Sequence, residues 1–460
     1  MKRLILSAAI PALMLGACST MPGVQDPTEA SVPVAQASMP NFPTDLTPAG
    51  VAAADDHLVL EAVDGAEGMA FVARSNERAL ATLEGDPRYE PFRQKAEAIL
   101  TATDRIPAPS FLGDGIGNFW QDATNPKGIW RRTTLESYAS GNTQWETLLD
   151  IDALARAEGK DWVFKGASCL PPAETRCLVN LSDGGKDAVV VREFDLTTKA
   201  FVEGGFVLPE GKHRISWLDA DTLLVATDFG PGTLTESGYP YIVKSLKRGQ
   251  TLAQATEVYR GEASDGGYGV SASVFRDGAG AVQAVLINRP LDTFRSERWW
   301  WRDGEAVKLD LPERTAIYGA LGSGEGLNLV FSIDEPWDRF GEVQRAGTVL
   351  VVSPDVLASE EAFILYTDPV AFIPTPRQSV NRVVVMDDHL IVGYDENVVG
   401  RLVKLRFIKS AGWTSEQVGV PDNQAVSLGD SSRGSGRLFL STQGFLTPPT
   451  LSLFGVEGGT

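Results

Sequence analysis

The sequence predicts a mainly β protein, a seven-bladed β-propeller preceded by a short helical segment. From about residue 115 onwards, short β-rich runs alternate with turn signals, whereas residues 57–103 carry a helical pattern. At roughly 40–50 residues for each four-stranded unit, the β-rich part holds about seven blades. A large sandwich or a β-helix would be the competing architecture. Two-sided strands without a strict short repeat favour the propeller.

The β-rich part is read from strands that are separated by tight turns. The clearest strands are "DTLLVATD", "AVQAVLIN", "LNLVFSID", "GTVLVVS", "NRVVVMD" and "HLIVGYD". The turn signals are Asp183-Gly184-Gly185, Asp219-Ala220-Asp221, Asp277-Gly278, Asp303-Gly304 and Asp387-Asp388. Asp-Gly pairs tolerate the positive φ angles that a tight hairpin turn requires.

The stretch "LSDGGKDAVVVREFD", residues 181–195, concentrates acids and bases beside an apolar run. Its first half is predicted to be a hairpin turn and "AVVVREFD" the strand after it, with "LTTK" as the next turn and "AFVEGGF" as the returning strand. Most of its charges are then solvated turn positions. We expect Arg192 and Glu193 to be paired across a blade rather than to face a substrate.

Residues 57–103 are predicted to form two helices. The first ends at Gly85, and Asp86-Pro87 is a start signal for the second. Apolar residues at mostly helical spacing mark one stripe on each helix: Phe71, Val72, Leu80 and Leu83 on the first, and Phe92, Ala96, Ile99 and Leu100 on the second. Such stripes are expected to pack either against a domain that this chain lacks or against the rim of the propeller.

Composition excludes some functions. The chain has 460 residues, 43% of them apolar, and a net charge of −19. That balance indicates a globular protein and disfavours nucleic-acid binding, which requires basic surface. No apolar run reaches the 18 residues of a membrane span. We predict no cofactor and no metal site, since "DID" (150–152) and "DAD" (219–221) have no set of histidines to complete them.

The first residues predict export. Lys2 and Arg3 precede a short apolar run, which leads into "LGAC" with Cys18 at its end. This arrangement resembles a bacterial lipoprotein signal, which implies that residues 1–17 are removed and that Cys18 carries the lipid. Ser19 then suggests the outer membrane, facing the periplasm. The alternative is a plain signal peptide with an incidental cysteine. Residues 18–55, rich in Pro, Ser, Ala and Thr, are predicted to be a disordered tether.

Two other cysteines, Cys169 and Cys177, flank "LPPAETR". In an oxidising compartment they are candidates for a disulfide across a turn, and two buried thiols are the alternative. Two further groups stand out in the β-rich part. Arg131 and Arg132 are expected at a strand edge or at the channel mouth, and Trp299-Trp300-Trp301 either packs between blades or offers a surface for stacking a peptide.

Long stretches of the chain resemble a known family. They are "NPKGIWRRTTLESY" (125–138), "WETLLDIDALARAEGKDWVFKG" (145–166), "RCLVNLSDGGKDAVVVREFDLTTKAFVEGGFVLPEGKH" (176–213), "SWLDADTLLVATDFG" (216–230), "TESGYPYIVKSLKRGQTLAQA" (235–255) and "LEAVDGAEGMAFVARSNERALATLEGDPRY" (60–89). Together they resemble the N-terminal half of the prolyl oligopeptidase family of serine peptidases. The resemblance implies opening helices, a seven-bladed propeller that restricts access to oligopeptides, and a C-terminal α/β-hydrolase domain with a Ser-Asp-His triad.

The catalytic half of that pattern is missing from this sequence. An α/β-hydrolase carries its serine in a G-x-S-x-G elbow, and no such motif occurs here. "GDSSRGSG" (429–436) and "LGSGEG" (321–326) have the wrong spacing. The chain has three histidines, His57, His213 and His389, and each is expected at a surface or in a turn rather than in a triad. We therefore predict no catalytic residue and no C-terminal hydrolase domain in this chain.

Together these observations predict a helical extension over 56–112 and a propeller over 113–460. The predicted function is the substrate-gating portion of a prolyl oligopeptidase-like serine peptidase that acts on short peptides. Its expected partners are an oligopeptide passing through the propeller channel and a hydrolase domain outside this chain, with membrane contact through the lipid only. The alternative is a non-catalytic exported lipoprotein propeller that binds a peptide or a protein.

Overall fold

The computed structural model describes residues 55, 57–62, 64–339, 341–359, 369–408 and 411–457. They belong to two compact units, which divide between Thr103 and Asp104. Among these residues, no helix has the length and apolar character needed to cross a membrane. The predicted lipidation site, Cys18, and most of the predicted tether lie outside the described residues.

The first unit is helical. A 3-10 turn, Leu58–Glu61, precedes α1 (Ala66–Glu84) and α2 (Tyr89–Leu100). The N–H of Gly85 closes α1 by donating to the carbonyl of Ala81, and Asp86 Oδ1 accepts the N–H of Arg88 at 2.9 Å just before α2. No residue of either helix is buried, so the helical unit by itself does not cover the predicted apolar stripes.

The second unit contains seven antiparallel sheets of three to five strands, which confirms the predicted seven-bladed propeller. Sheets 1 to 3 comprise β1 (Ser110–Leu112), β2 (Gly115–Trp120), β3 (Ile129–Thr133) and β4 (Glu146–Asp150); β5 (Trp162–Cys169), β6 (Arg176–Asp183), β7 (Val189–Asp195), β8 (Ala200–Phe201) and β9 (Val207–Gly211); and β10 (Arg214–Asp219), β11 (Thr222–Ala226), β12 (Ile242–Lys247) and β13 (Thr256–Arg260).

Sheets 4 to 7 follow the same up-and-down order. They comprise β14 (Ser271–Arg276), β15 (Val282–Pro290), β16 (Ser296–Arg302) and β17 (Glu305–Lys308); β18 (Thr315–Leu321), β19 (Asn328–Ile333), β22 (Val349–Val352) and β23 (Val370–Phe372); β24 (Gln378–Val385), β25 (Leu390–Glu396), β26 (Val399–Ile408) and β27 (Gly412–Val418); and β28 (Gln424–Ser432), β29 (Arg437–Gly444) and β30 (Thr450–Gly455). A separate hairpin pairs β20 (Trp337–Arg339) with β21 (Glu342–Gln344).

In the part of the chain that the structure describes, short helices occupy three of the connections between strands. They are α3 (Leu135–Ala139), α4 (Ile151–Glu158) and α5 (Pro354–Leu357), and 3-10 turns lie at Leu252–Gln254 and Gly324–Gly326. The helix α4 has a local signal at each end. Asp150 begins it by accepting the N–H of Ala153, and Gly159 ends it with a positive φ of 62°.

The first strand of each sheet lies nearest the axis of the ring. The strands β10 and β14 contact each other, as do β14 and β18, β18 and β24, and β28 and β1. The last pair brings the two ends of the ring together. There the ring of Phe111 stacks on Phe439 with centroids 4.8 Å apart, and the N–H of Phe111 donates to Asp430 Oδ2 at 2.7 Å.

The core lies between neighbouring sheets. Trp130 of sheet 1 packs on Phe164 and Phe194 of sheet 2, at centroid distances of 5.8 and 6.1 Å. In the Trp299-Trp300-Trp301 run, Trp300 is buried and Trp299 lies 5.2 Å from the ring of Tyr259 in sheet 3. The structure therefore places this run in the packing between sheets 3, 4 and 5.

The stretch over 181–195 is the predicted hairpin in sheet 2. Gly184 and Gly185 adopt φ of 77° and 81° in the turn between β6 and β7. The expected returning strand over 200–206 is wrong in extent, because β8 covers only two residues and β7 pairs next with β9. Glycines at 204 and 205 interrupt the strand there. Arg192 and Glu193 are both paired, as expected: Arg192 with Glu158, and Glu193 with Arg176 and Arg248. Glu193 is buried, Lys186 and Asp187 are exposed in the turn, and the other charged residues of the stretch are half-buried in strands.

Candidate functional surfaces of the propeller

The histidines do not form a nucleophile–base pair among the described residues. His57 is exposed and lies 3.5 Å from Asp55. His213 is bound on both ring nitrogens, with Nδ1 2.7 Å from Thr227 Oγ1 and Nε2 2.8 Å from the carbonyl of Pro209. Burial lowers the pKa of His213 despite these carbonyl contacts. Because both ring nitrogens of His213 are hydrogen-bonded within the propeller, the contacts favour a structural role.

His389 is buried at the turn between β24 and β25, where its Nδ1 lies 2.6 Å from Asp388 Oδ1. Ligand atoms of these two residues and of Glu457 lie within 4.8 Å of one another, the spacing of a cation site. The guanidinium of Arg406, however, already lies 3.1 Å from Asp388 Oδ2. Since this fixed positive charge occupies the carboxylate, the arrangement is an ion-pair network and a poor cation site.

The side chains of Arg131 and Arg132 lie in different environments. Arg131 is buried, its guanidinium lies over the rings of Trp120 and Trp145 at 4.5 and 4.3 Å, and its Nε donates to Asn118. Burial lowers the pKa of Arg131 to about 10. Arg132 is more exposed and pairs with Glu146 at 2.7 Å on the neighbouring strand. The first therefore belongs to the packing of sheet 1, and the second to its strand pairing.

Cys169 and Cys177 are opposite each other in the pairing of β5 with β6, and the structure joins them by a disulfide. The bond spans the turn over 170–175. This turn lies on the same side of the ring as every other turn that joins a first to a second strand. We call that side the hairpin face; its turns are 113–114, 170–175, 220–221, 277–281, 322–327, 386–389 and 433–436.

The opposite face carries the loops that join second to third strands: 121–128, 184–188, 227–241, 291–295, 334–339 with 341–348, 397–398 and 445–449. Four consecutive sheets expose large apolar side chains in these loops. We call them the apolar arc: Phe294 (77% exposed) in sheet 4, Val343 (65%) in sheet 5, Val398 (93%) in sheet 6, and Phe445 (95%) and Leu446 (92%) in sheet 7. Large exposed apolar patches mark interaction surfaces, and the five residues of the apolar arc share one face over four neighbouring sheets.

Val398 adds a sign of strain to the apolar arc. Its φ is +62° and that of Asn397 is +49°, as in a tight two-residue turn. Asparagine tolerates this region, but a β-branched residue is a clear outlier there. A strained apolar residue held almost fully in solvent favours a role in contact with another surface.

Sequence reasoning did not find the apolar arc. Single apolar residues in turns have no periodicity, so they resemble the ends of strands. Their common position becomes visible only when the sheets are arranged around the ring. The pair Phe445-Leu446, inside the turn-like "QGFLTPP", was the one local signal available.

Comparison with known proteins identifies relatives. The family described as prolyl oligopeptidase, N-terminal beta-propeller domain, matches residues 42–308. An uncharacterized peptidase of Sinorhizobium fredii is 40% identical over 441 residues, covering 94% of this chain and 58% of the relative. An uncharacterized peptidase of Rickettsia prowazekii is 24% identical over 409 residues, covering 86% of this chain and 55% of the relative.

Among solved structures, a post-proline cleaving enzyme from Rickettsia typhi matches with a TM-score of 0.75 at 23% identity. The match covers 86% of this chain and 58% of that one. This chain therefore spans a little more than half the length of the proteins it matches.

Proposed function

Since the chain belongs to the prolyl oligopeptidase family, we propose that it is the propeller portion of a serine peptidase acting on short peptides, and that it limits which peptides reach a separate α/β-hydrolase domain. The observation that carries the proposal is the apolar arc. It gives one face of the propeller a surface for a partner, and the curated relatives are long enough to include a second domain.

The chemistry of the apolar arc favours a stable partner over a passing peptide. Burying a large apolar side chain contributes about 1.5–3 kcal/mol each, and five such residues are spread over four sheets. That spacing fits a broad domain surface better than one extended peptide. The exposed stripes of α1 and α2 support the same proposal, because they are further apolar surface that the helical unit does not bury.

The partner would supply the chemistry. The described part of the chain brings no histidine to a serine hydroxyl, so the propeller's own contribution is to hold and select the peptide. We expect the purified chain not to hydrolyse a proline-containing chromogenic peptide by itself. A serine-directed covalent probe that labels this chain would contradict the assignment of the nucleophile to another domain.

The proposal is tested with any hydrolase domain that the reading frame encodes beyond Thr460, or with the part of the Sinorhizobium fredii relative that this chain does not cover, supplied as a separate protein. We expect binding to the chain and appearance of peptidase activity in the mixture. The double substitution Phe445→Ser/Leu446→Ser should weaken binding at least tenfold.

The matched control is Val282→Ser. Val282 is a half-exposed apolar residue at the start of β15, beside the hairpin face and away from the apolar arc. It should leave binding unchanged. Equal affinities for the parent and the double variant would contradict docking at the apolar arc. A stop codon after Thr460, together with no binding to the part taken from the Sinorhizobium fredii relative, would favour the alternative of a non-catalytic propeller that binds a peptide or a protein.

A further inference from the structure

The turn over 277–281 reaches across the middle of the ring. It joins β14 to β15 in sheet 4, whose neighbours in the ring are sheets 3 and 5. It nevertheless contacts the hairpin-face turns of sheets 2, 6 and 7. In a seven-membered ring, contact between sheets 4 and 7 has to cross the central channel.

The contact with sheet 7 is made by backbone atoms. A Cβ placed on Gly278 would lie 3.0 Å from the Cα of Gly434, and a Cβ on Gly434 would lie 2.6 Å from the carbonyl oxygen of Gly278. The two turns can meet this closely because both residues are glycine. Arg433 strengthens the contact by donating from Nη1 to the carbonyl of Arg276 at 2.7 Å.

Asp387 of sheet 6 joins the same cluster. Its Oδ1 accepts the N–H of Gly278 at 2.9 Å and the Nε–H of Arg433 at 2.8 Å. Arg433 is only 16% exposed, so this guanidinium is held between three sheets rather than in open solvent. A largely buried charge of this kind is stable only when it is paired and hydrogen-bonded, as it is here.

Sheet 2 closes the other side. A Cβ on Gly280 would lie 2.5 Å from Pro172 Cδ, so the sheet 4 turn packs directly on the turn that the Cys169–Cys177 disulfide spans. At the rim, Glu174 Oε2 accepts the N–H of Gly113 in sheet 1 at 2.7 Å. Sheet 3 is joined through Arg276, which donates to the carbonyls of Trp217 and Leu218, both at 2.9 Å.

We propose that these turns form a plug that closes the channel at the hairpin face. Arg433, at the centre of the plug, joins the turns of sheets 4, 6 and 7 through its hydrogen bonds. A consequence, which rests on the proposed function, is that peptides reach the interior only from the face that carries the apolar arc. This route differs from the one expected from the sequence, in which the peptide passes through the channel. The closure itself depends only on the contacts among the turns.

The test measures coupling across the channel by amide hydrogen exchange. Arg433→Ala should accelerate exchange at least tenfold in the turn over 277–281, although the substitution lies in sheet 7. The matched control is Arg437→Ala, at the start of β29, whose exposed side chain makes no ion pair or hydrogen bond in the described part of the chain. Unchanged exchange in the sheet 4 turn of Arg433→Ala would overturn the proposal.

A second variant keeps the test decisive if Arg433→Ala unfolds the chain. Asp387→Asn removes the charge from an exposed carboxylate that joins Arg433 to Gly278, and it should produce the same acceleration to a smaller degree. If both variants fold and neither changes exchange in the turn over 277–281, the plug is refuted. That result would leave binding of a hydrolase domain at the apolar arc untouched, so the two proposals fail separately.

Discussion

Arg248 of sheet 3 donates two hydrogen bonds to Glu193 of sheet 2, from Nη1 to Oε2 at 2.7 Å and from Nη2 to Oε1 at 3.1 Å. The carboxylate is fully buried, and it also accepts Nη1 of Arg176 at 2.7 Å and the N–H of Phe206 at 2.8 Å. One buried charge thus receives four donors and joins two neighbouring sheets. A charge in that position is tolerated because every donor is directed at it.

Replacing Glu193 by Gln should destabilise the propeller by about 3 kcal/mol, near the low end for breaking a buried ion pair because both arginines keep partial access to water. The amide cannot satisfy two guanidinium groups at once. The free energy of unfolding from chemical denaturation measures the effect.

The matched control for that substitution is Glu210→Gln, which breaks the exposed pair between Glu210 and Lys186 in the same sheet. We expect a change between 0 and about 1 kcal/mol. Equal losses for the two variants would mean that burial does not set the importance of Glu193.

Glu193 should also make the free energy of unfolding depend on pH in the acidic range. Burial raises the pKa of Glu193, but the hydrogen bonds from Arg248, Phe206 and Arg176 outweigh it and leave the pKa below its ordinary value of 4.5. A group with a lowered folded pKa contributes stability above its unfolded pKa, and that contribution is lost as the pH falls through the folded value.

Unfolding measured at several pH values between 6 and 3 should therefore show a steeper loss of stability for the parent than for Glu193→Gln. Glu210→Gln should follow the parent. Parallel curves for the parent and Glu193→Gln would show that this carboxyl titrates alike in the folded and unfolded chain.

The neighbourhood of Glu193 shows how far the sequence could be interpreted. The hairpin at Gly184-Gly185 and the strand after it were predictable, because turn chemistry and an apolar run are local signals. The buried carboxylate was not, because Arg176 and Arg248 lie 17 and 55 residues away and nothing local selects them. Arg192 is paired as well, with Glu158 at 2.7 Å, which lies 34 residues away along the chain.

The same limit applies to the two faces of the ring. Asp277-Gly278 and Asp387-Asp388 were predicted as turns, and both are turns. Their meeting across the channel depends on how the ring closes, which no single turn encodes. Composition and strand count therefore predict a seven-bladed propeller, whereas the apolar arc and the plug emerge only from the positions of the sheets around the axis.

The disulfide between Cys169 and Cys177 predicts a specific thiol count. In a Cys18→Ser chain purified without reductant and then denatured, we expect no free thiol, and two after reduction. Cys169→Ser/Cys177→Ser should lower the free energy of unfolding by about 2–3 kcal/mol, since the bond closes a short loop. Two free thiols in the oxidised protein would contradict the pairing.

Cys18 predicts where the protein resides, although it lies outside the described residues. If the N-terminus is processed as a lipoprotein, the lipid on Cys18 holds the chain at the membrane, because each buried CH₂ contributes about 0.8 kcal/mol. The parent should then sediment with the membranes and be released by detergent, whereas Cys18→Ser should be recovered in the soluble fraction. Ser19→Ala, the matched control, changes the next residue and keeps the thiol, so it should stay with the membranes. Membrane retention that survives Cys18→Ser would rule out lipidation as the anchor and favour a plain signal peptide.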